Sequence, residues 1–171
     1  MRKCPVILLL LVLALSVEGQ SLPKDSNGKI NYSDQIKIDS SDADELFRRA
    51  KTWVLENFKN LGQVLQKDDP RNHQIVLNGK GECYAEKSFG DTIENLNHSY
   101  ILRIDVGEDG YSYTLTDFMT TDKWKGEMPA EQVKYGKKAM QEHEAGIAAL
   151  AATLIASLKN AMSTKIVVGR E

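Results

Sequence analysis

Apolar residues fall along this chain in several rhythms, and each rhythm predicts a different kind of element. Near the N-terminus, Val6 to Val17 is a continuous apolar or small run broken only by Ser16. Further on, Ile30, Tyr32, Ile36 and Ile38 take alternate positions, with Asp34 interrupting. A period of two marks a half-buried strand. Leu46, Phe47, Ala50, Trp53, Val54, Phe58 and Leu61 then gather on one stripe at helical spacing. Ser41 is placed to cap this helix, Asp42, Asp44 and Glu45 put negative charge on its first turn, and Gly62 is a suitable stop. Asp44 with Arg48, and Glu45 with Arg49, are four apart and can pair on its outer face. Trp53, in the middle of the stripe, reads as core.

Four strands are expected next. The first is Gln63 to Gln66, followed by a turn over Asp68, Asp69, Pro70, Arg71 and Asn72. The second runs from Gln74 to about Ala85, with Ile75, Leu77, Gly79, Gly81 and Cys83 on one face. The third, Ser99 to Val106, alternates Tyr100, Leu102, Ile104 and Val106. Glu108-Asp109-Gly110 closes a hairpin of the Asp-Gly type. The fourth, Tyr111 to Met119, sets Tyr111, Tyr113 and Leu115 against Ser112, Thr114, Thr116 and Phe118. A polar loop from Thr120 to about Lys134 leads to a last helix over roughly 136–162, with Met140, Ile147, Leu150, Ala151, Leu154, Ile155, Leu158 and Met162 on its apolar face. Ile166-Val167-Val168 could add a short strand. Strand, helix, meander, helix is the order of a two-layer α+β fold: an antiparallel curved sheet with two helices packed on one face.

Arg2 and Lys3 precede the N-terminal apolar run, and Val17-Glu18-Gly19 follows it. A charged start, about a dozen apolar residues and small residues at the cut form a secretory signal over residues 1–19, since a spanning helix needs roughly twenty. Residues 20–28 read as a flexible leader and 29–168 as a single domain. Its loss moves the formal net charge from −2 to about −3, which gives no electrostatic reason to seek nucleic acid. Cys4 leaves with the signal, so Cys83 stands alone and reads as a small buried hydrophobe. The expected location is periplasmic or secreted, with no membrane span once the signal is removed.

The helix Asp44 to Trp53, Phe58, the run Val64-Leu65-Gln66-Lys67-Asp68, then Gly79-Lys80-Gly81 and the hairpin from Tyr100 to Tyr111 form a recognisable set. On these residues the stretch from Ile36 to about Thr121 resembles a family of exported bacterial proteins common in Bacteroidetes. That family is classed as a domain of unknown function with a TATA-binding-protein-like (TBP-like) fold. The resemblance implies a helix-and-curved-sheet, helix-grip-like fold and export. It brings no activity, no cofactor and no catalytic residue with it, and the last helix lies outside it.

Candidate chemistry changes the picture little. Asp68, Asp69, Asn72 and His73 hold ligand atoms, but Pro70 and Arg71 break the alternation a calcium loop requires. Gly79-Lys80-Gly81 lacks the upstream glycine and the following Ser or Thr of a phosphate loop, so its glycines read as a strand bend or a close approach. His73, His98 and His143 have no metal-ligand spacing, and His143 reads as a hydrogen-bonded histidine at the core edge. Asn31-Tyr32-Ser33 and Asn97-His98-Ser99 have the form of glycosylation sequons, incidental in a bacterial chain. No metal or cofactor is expected. The last helix is less ordinary. Ala145, Ala149, Ala152 and Ala156 cluster opposite its Leu/Ile stripe, and no charge falls between Ala145 and Leu158. Small side chains at this spacing admit a second helix, although alanine is also simply the best helix former. The expected function is therefore a non-catalytic exported binding or interaction domain, with an unknown protein or envelope ligand as partner, or a second copy of the chain through this helix. The alternative is a hydrolase acting on an envelope or extracellular polymer, with Asp122, Glu127 and Glu131 as its local carboxylates and Trp124 to stack on a sugar.

Overall fold

The structure, a computed structural model, describes residues 21–39, 42–86, 93–122 and 126–164, with side chains described for all of these except 82–86, 93–96 and 122. The signal, the cap at Ser41, Trp124 and the Ile166–Val168 tail lie outside the described residues, as do the side chains of Cys83 and Asp122. The elements are β1 (Asn31–Lys37), α1 (Ala43–Asn57), α2 (Leu61–Val64), β2 (Leu65–Asp69), β3 (Gln74–Glu86), β4 (Ile93–Gly107), β5 (Gly110–Asp122), β6 (Gly126–Pro129), a 3₁₀ turn (Ala130–Gln132) and α3 (Lys137–Ser163). The strands form one antiparallel sheet in the order β1-β5-β4-β3-β2, and β6 pairs with β5 beyond the end of β1. Both long helices pack on the same face of the sheet. The core between the layers holds Leu46, Trp53, Ile75, Leu77, Leu102, Ile104, Leu115, Ile147 and Leu158. The two-layer α+β expectation holds.

Asp42 caps α1, its carboxylate accepting from the Glu45 amide at 2.6 Å. The helix stops at Asn57, earlier than Gly62, and Leu61–Val64 forms a separate turn of helix. Residues 63 and 64 are therefore helical, and β2 begins only at Leu65. The expected pairing of Asp44 with Arg48 is replaced: Asp44 meets His73 at 2.8 Å, and Glu45 takes both Arg48 and Arg49. Nor does Arg49 lie on an outer face. It is only 3% exposed, and its Nη1 donates to the Met162 carbonyl at 2.7 Å, on the last turn of α3. Trp53 Nε1 donates to Ser157 Oγ at 2.9 Å, so α1 grips the C-terminal half of α3 at two heights.

β5 departs from the expected alternation. Ile101 pairs with Thr116 and Ser99 with Met119, so Asp117 and Phe118 together oppose Tyr100. Asp117 adopts a φ of 51°, and this bulge advances the strand by one residue. Phe118, expected on the other side of the strand, and Thr120, expected to open a polar loop, are fully buried as a result. The bulge sits where β1 gives way to β6 along the edge of β5. There Lys29 Nζ meets Asp117 at 2.6 Å, Thr116 Oγ1 donates to the Ile30 carbonyl, and the Ile30 amide donates to Glu131 Oε1 at 2.6 Å. The stretch from Thr120 to Lys134 is thus largely strand and 3₁₀ turn, because its polar residues belong to a short edge strand with one solvated side.

The paired glycines of β3 make room for neighbours. A Cβ at Gly79 would stand 2.3 Å from the Tyr100 ring, and one at Gly81 would stand 2.6 Å from the Leu150 side chain of α3. At the β4–β5 hairpin, Gly107 pairs with Gly110, which makes Glu108 and Asp109 the two loop residues in place of an Asp-Gly turn.

Candidate functional site

Three places on this framework bring distinctive groups together. The first is the outward side of α3. Ala145, Ala149, Ala152 and Ala156 are all exposed, together with Thr153. The outward side of α1, by contrast, shows Asp44, Arg48 and Glu56 beside an exposed Leu55. By length and mean hydropathy alone α3 would suffice to cross a bilayer, a test that core helices also pass. Its inward side buries His143, Ile147, Ala151, Leu158 and Met162.

The second is a groove of about 590 Å³ lined by Lys80, Gly81, Asn97, His98, Ser99, Thr121 and Glu127, with Lys80 and Ser99 paired on the sheet face away from the helices. Ser99 Oγ donates to Glu127 Oε1 at 2.9 Å across it. Elsewhere on this face charges neutralise one another locally, Arg103 with Asp105 at 2.7 Å and Lys67 with Asp69 at 3.1 Å.

The third is internal. His98 on β4, Thr120 on β5 and His143 on α3 are each 1% exposed or less. Thr120 Oγ1 lies 3.1 Å from His98 Nδ1 and 3.0 Å from His143 Nε2, and the two rings stand 5.2 Å apart. Burial, and then the neighbouring His143, push His98 down to about 4, with the Met119 backbone opposing. Burial lowers His143 as well. Spacing along the chain did not reveal this group. His98 shares the parity of Tyr100 and Leu102 and so belongs inside, but Thr120 joins it only because of the bulge at Asp117.

The other residues singled out from the sequence do not converge. Asp69 Oδ1 accepts from the Arg71 and Asn72 amides, and the Asn72 side chain and Lys67 hold its carboxyl down at about 2. Asp68 turns to Lys51 at 2.7 Å and His73 to Asp44, so the ligand atoms around Pro70 diverge. Among the described residues no group of three or more His, Cys, Asp or Glu could hold a metal ion. Glu127 faces the groove, whereas Glu131 serves the Ile30 amide on the other side of β6.

The model of a family described as a domain of unknown function (DUF4468) with TBP-like fold matches residues 32–121. The chain belongs to this family. A DUF4468 family protein from Bacteroides ovatus has a crystal structure that superposes with a TM-score of 0.69 at 13% identity, covering 86% of this chain and 92% of that one. A TBP-like protein from Parabacteroides distasonis superposes with a TM-score of 0.65 at 16% identity, covering 83% and 97%. At such identities the likeness establishes the fold alone. It extends well beyond residues 32–121, whereas the DUF4468 match itself ends before β6 and α3. No curated protein matches the chain.

Proposed function

We propose that this DUF4468 chain is a non-catalytic interaction domain, exported to the periplasm or beyond, that docks a second copy of itself through the outward side of α3. One observation carries the reading. Over the fourteen residues from Ala145 to Leu158, a fully formed helix turns alanines and Thr153 outward, without a charge, on a domain whose other long helix is charged outside. Short side chains let helix axes approach to the lower end of the usual 8–10 Å. A ridge of this shape suits another helix better than it suits a small ligand. The Arg2-Lys3 start and the apolar run to Val17 support export.

Light scattering on the wild type and on A149E/A152E tests the docking. The expected result is a dimer that the double variant converts to a monomer of unchanged helicity. A wild type that stays monomeric at about millimolar concentration, where even weak contacts form, would overturn it. Export is checked by the mass of the chain recovered from its native host. A mature N-terminus at Gln20 supports it, and an intact N-terminal segment in the cytoplasm refutes it.

A further inference from the structure

We propose that His98, Thr120 and His143 form an acid-sensitive latch that holds the N-terminal half of α3 against the sheet. This concerns the inward side of the helix and stands apart from the docking reading.

The hydrogen-bond inventory makes the latch conditional on charge. The Thr120 hydroxyl has one proton, so it can donate to only one of the two rings, and the other ring must donate to it. Two neutral imidazoles satisfy the hydroxyl and leave only one uncharged N–H without a partner. An imidazolium carries a proton on both nitrogens and needs two acceptors. The remaining nitrogens, His98 Nε2 and His143 Nδ1, are buried and make no hydrogen bond. A proton added to His143 therefore places an unpaired cationic N–H inside the core, and one added to His98 leaves Nε2 unpaired with only the Met119 backbone to favour the charge. With the rings 5.2 Å apart, charging both adds repulsion.

Among the described residues no charged side chain is paired with either ring. Tyr135 stands edge-on to His143 at 5.8 Å. On α3, Glu142 precedes His143, but neighbours in a helix do not face each other, and its Oε1 lies 3.6 Å from Lys138. Its Oε2 is buried without a partner. From β6 and the following turn, Glu127 is engaged by Ser99 and Glu131 by the Ile30 amide. On β5, Asp117 is engaged by Lys29, and on β3 Lys80 faces the opposite side of the sheet. Among the described residues no carboxylate bonds to either imidazole.

The sign follows from the folded values. A docked His98 near 4 binds fewer protons than a released one near its ordinary 6.5. The latch is therefore at full strength above about pH 6.5 and weakens as pH falls toward 4. Release is local, because the two halves of α3 are held differently. The C-terminal half is tied to α1 through Arg49 and Ser157, and to β1 through Lys159 and Asp34 at 2.8 Å. The N-terminal half rests on the His-Thr-His group, on Ile147 in the core and on Leu150 over Gly81, with no charged tie to another element among the described residues. Acid thus frees the first half of the helix while the second stays in place.

Two measurements on the full chain test the latch. In an imidazole NMR titration of the wild type, His98 should titrate at about 4 and His143 below its ordinary value. Either ring titrating near its ordinary 6.5 while α3 stays docked would overturn the proposal. In hydrogen exchange between about pH 7 and about pH 4.5, corrected for intrinsic rates, residues 137–150 should lose protection tenfold to a hundredfold, on the order the linkage allows. Residues 157–163 and strands β3–β5 should keep theirs. Uniform loss, or none, would refute local release. His143→Gln keeps a hydrogen-bonding side chain without the titration, and should move the loosening to lower pH. An unchanged exchange profile in that variant would also refute the proposal, and if the variant fails to fold, the wild-type titration still decides.

Discussion

Arg49→Met removes a buried cation while keeping most of its apolar stem. Charge-assisted bonds go with it, among them Nη1 to the Met162 carbonyl at 2.7 Å and Nε to Glu45 Oε1 at 3.0 Å. Hydrogen bonds to charged groups are worth about 1.5–3 kcal/mol each, and a buried carbonyl left without a donor costs about 1–3 kcal/mol. Two effects work in the other direction. Glu45 is 19% exposed and retains Arg48, so it is not stranded. Desolvating the guanidinium is also no longer required. The expected net loss is about 2–4 kcal/mol, read from urea unfolding followed by far-UV circular dichroism. Hydrogen exchange should place the loss at the last turn of α3 and in α1. Glu45→Gln, nearer solvent, should cost less than half as much. If Arg49→Met lowers stability by less than about 1 kcal/mol, the view of Arg49 as the tie between the two helices is wrong.

Three further substitutions probe the backbone. At the bulge, Asp117→Asn and Asp117→Val lose the same charge, but only Asn tolerates a left-handed conformation, so Val should be less stable by a further 1–2 kcal/mol or so in thermal or chemical unfolding; equal stabilities would mean that the φ of 51° is not maintained. Gly110→Ala would set a Cβ 2.0 Å from the Ile36 carbonyl oxygen at a φ of 149°, so the amides of Ile36 to Ile38 should lose exchange protection as the end of β1 parts from β5. Gly79→Ala should cost about 2 kcal/mol against the Tyr100 ring, and distinctly less in a Tyr100→Leu background; a strictly additive double variant would show that the ring is not what occupies that space.

Much of the fold was legible because period and burial agree. The inward residues of β3 and β4, the α1 stripe and the apolar side of α3 all follow from spacing. What was hidden depends on partners remote in sequence. Arg49 reads as a surface charge until the end of α3 arrives beside it. Phe118 reads as outward because the only local sign of a bulge is an aspartate, one of the few residues that tolerate positive φ. β6 is four residues long and paired along one edge, so its polar composition looks like loop. The His-Thr-His group needs three elements and one register shift, and no spacing rule along the chain could assemble it. The alanines of α3 were visible at once, since their pattern is local to one helix.

The position of β1 bears on how the chain folds in time. Asn31 pairs with Thr116 and Lys37 with Gly110, although β1 precedes every other strand and β5 is almost the last. Closing so long a loop costs entropy before any contact repays it, which slows folding. The β3–β4 and β4–β5 hairpins can form from neighbouring segments, but β1 has no partner until the seventy-two residues from 38 to 109 have followed it. Ile30 waits longer still, because its amide is satisfied by Glu131. The nascent domain is thus built from its middle outward, and its N-terminal strand remains available for threading until the last part of the sheet is made.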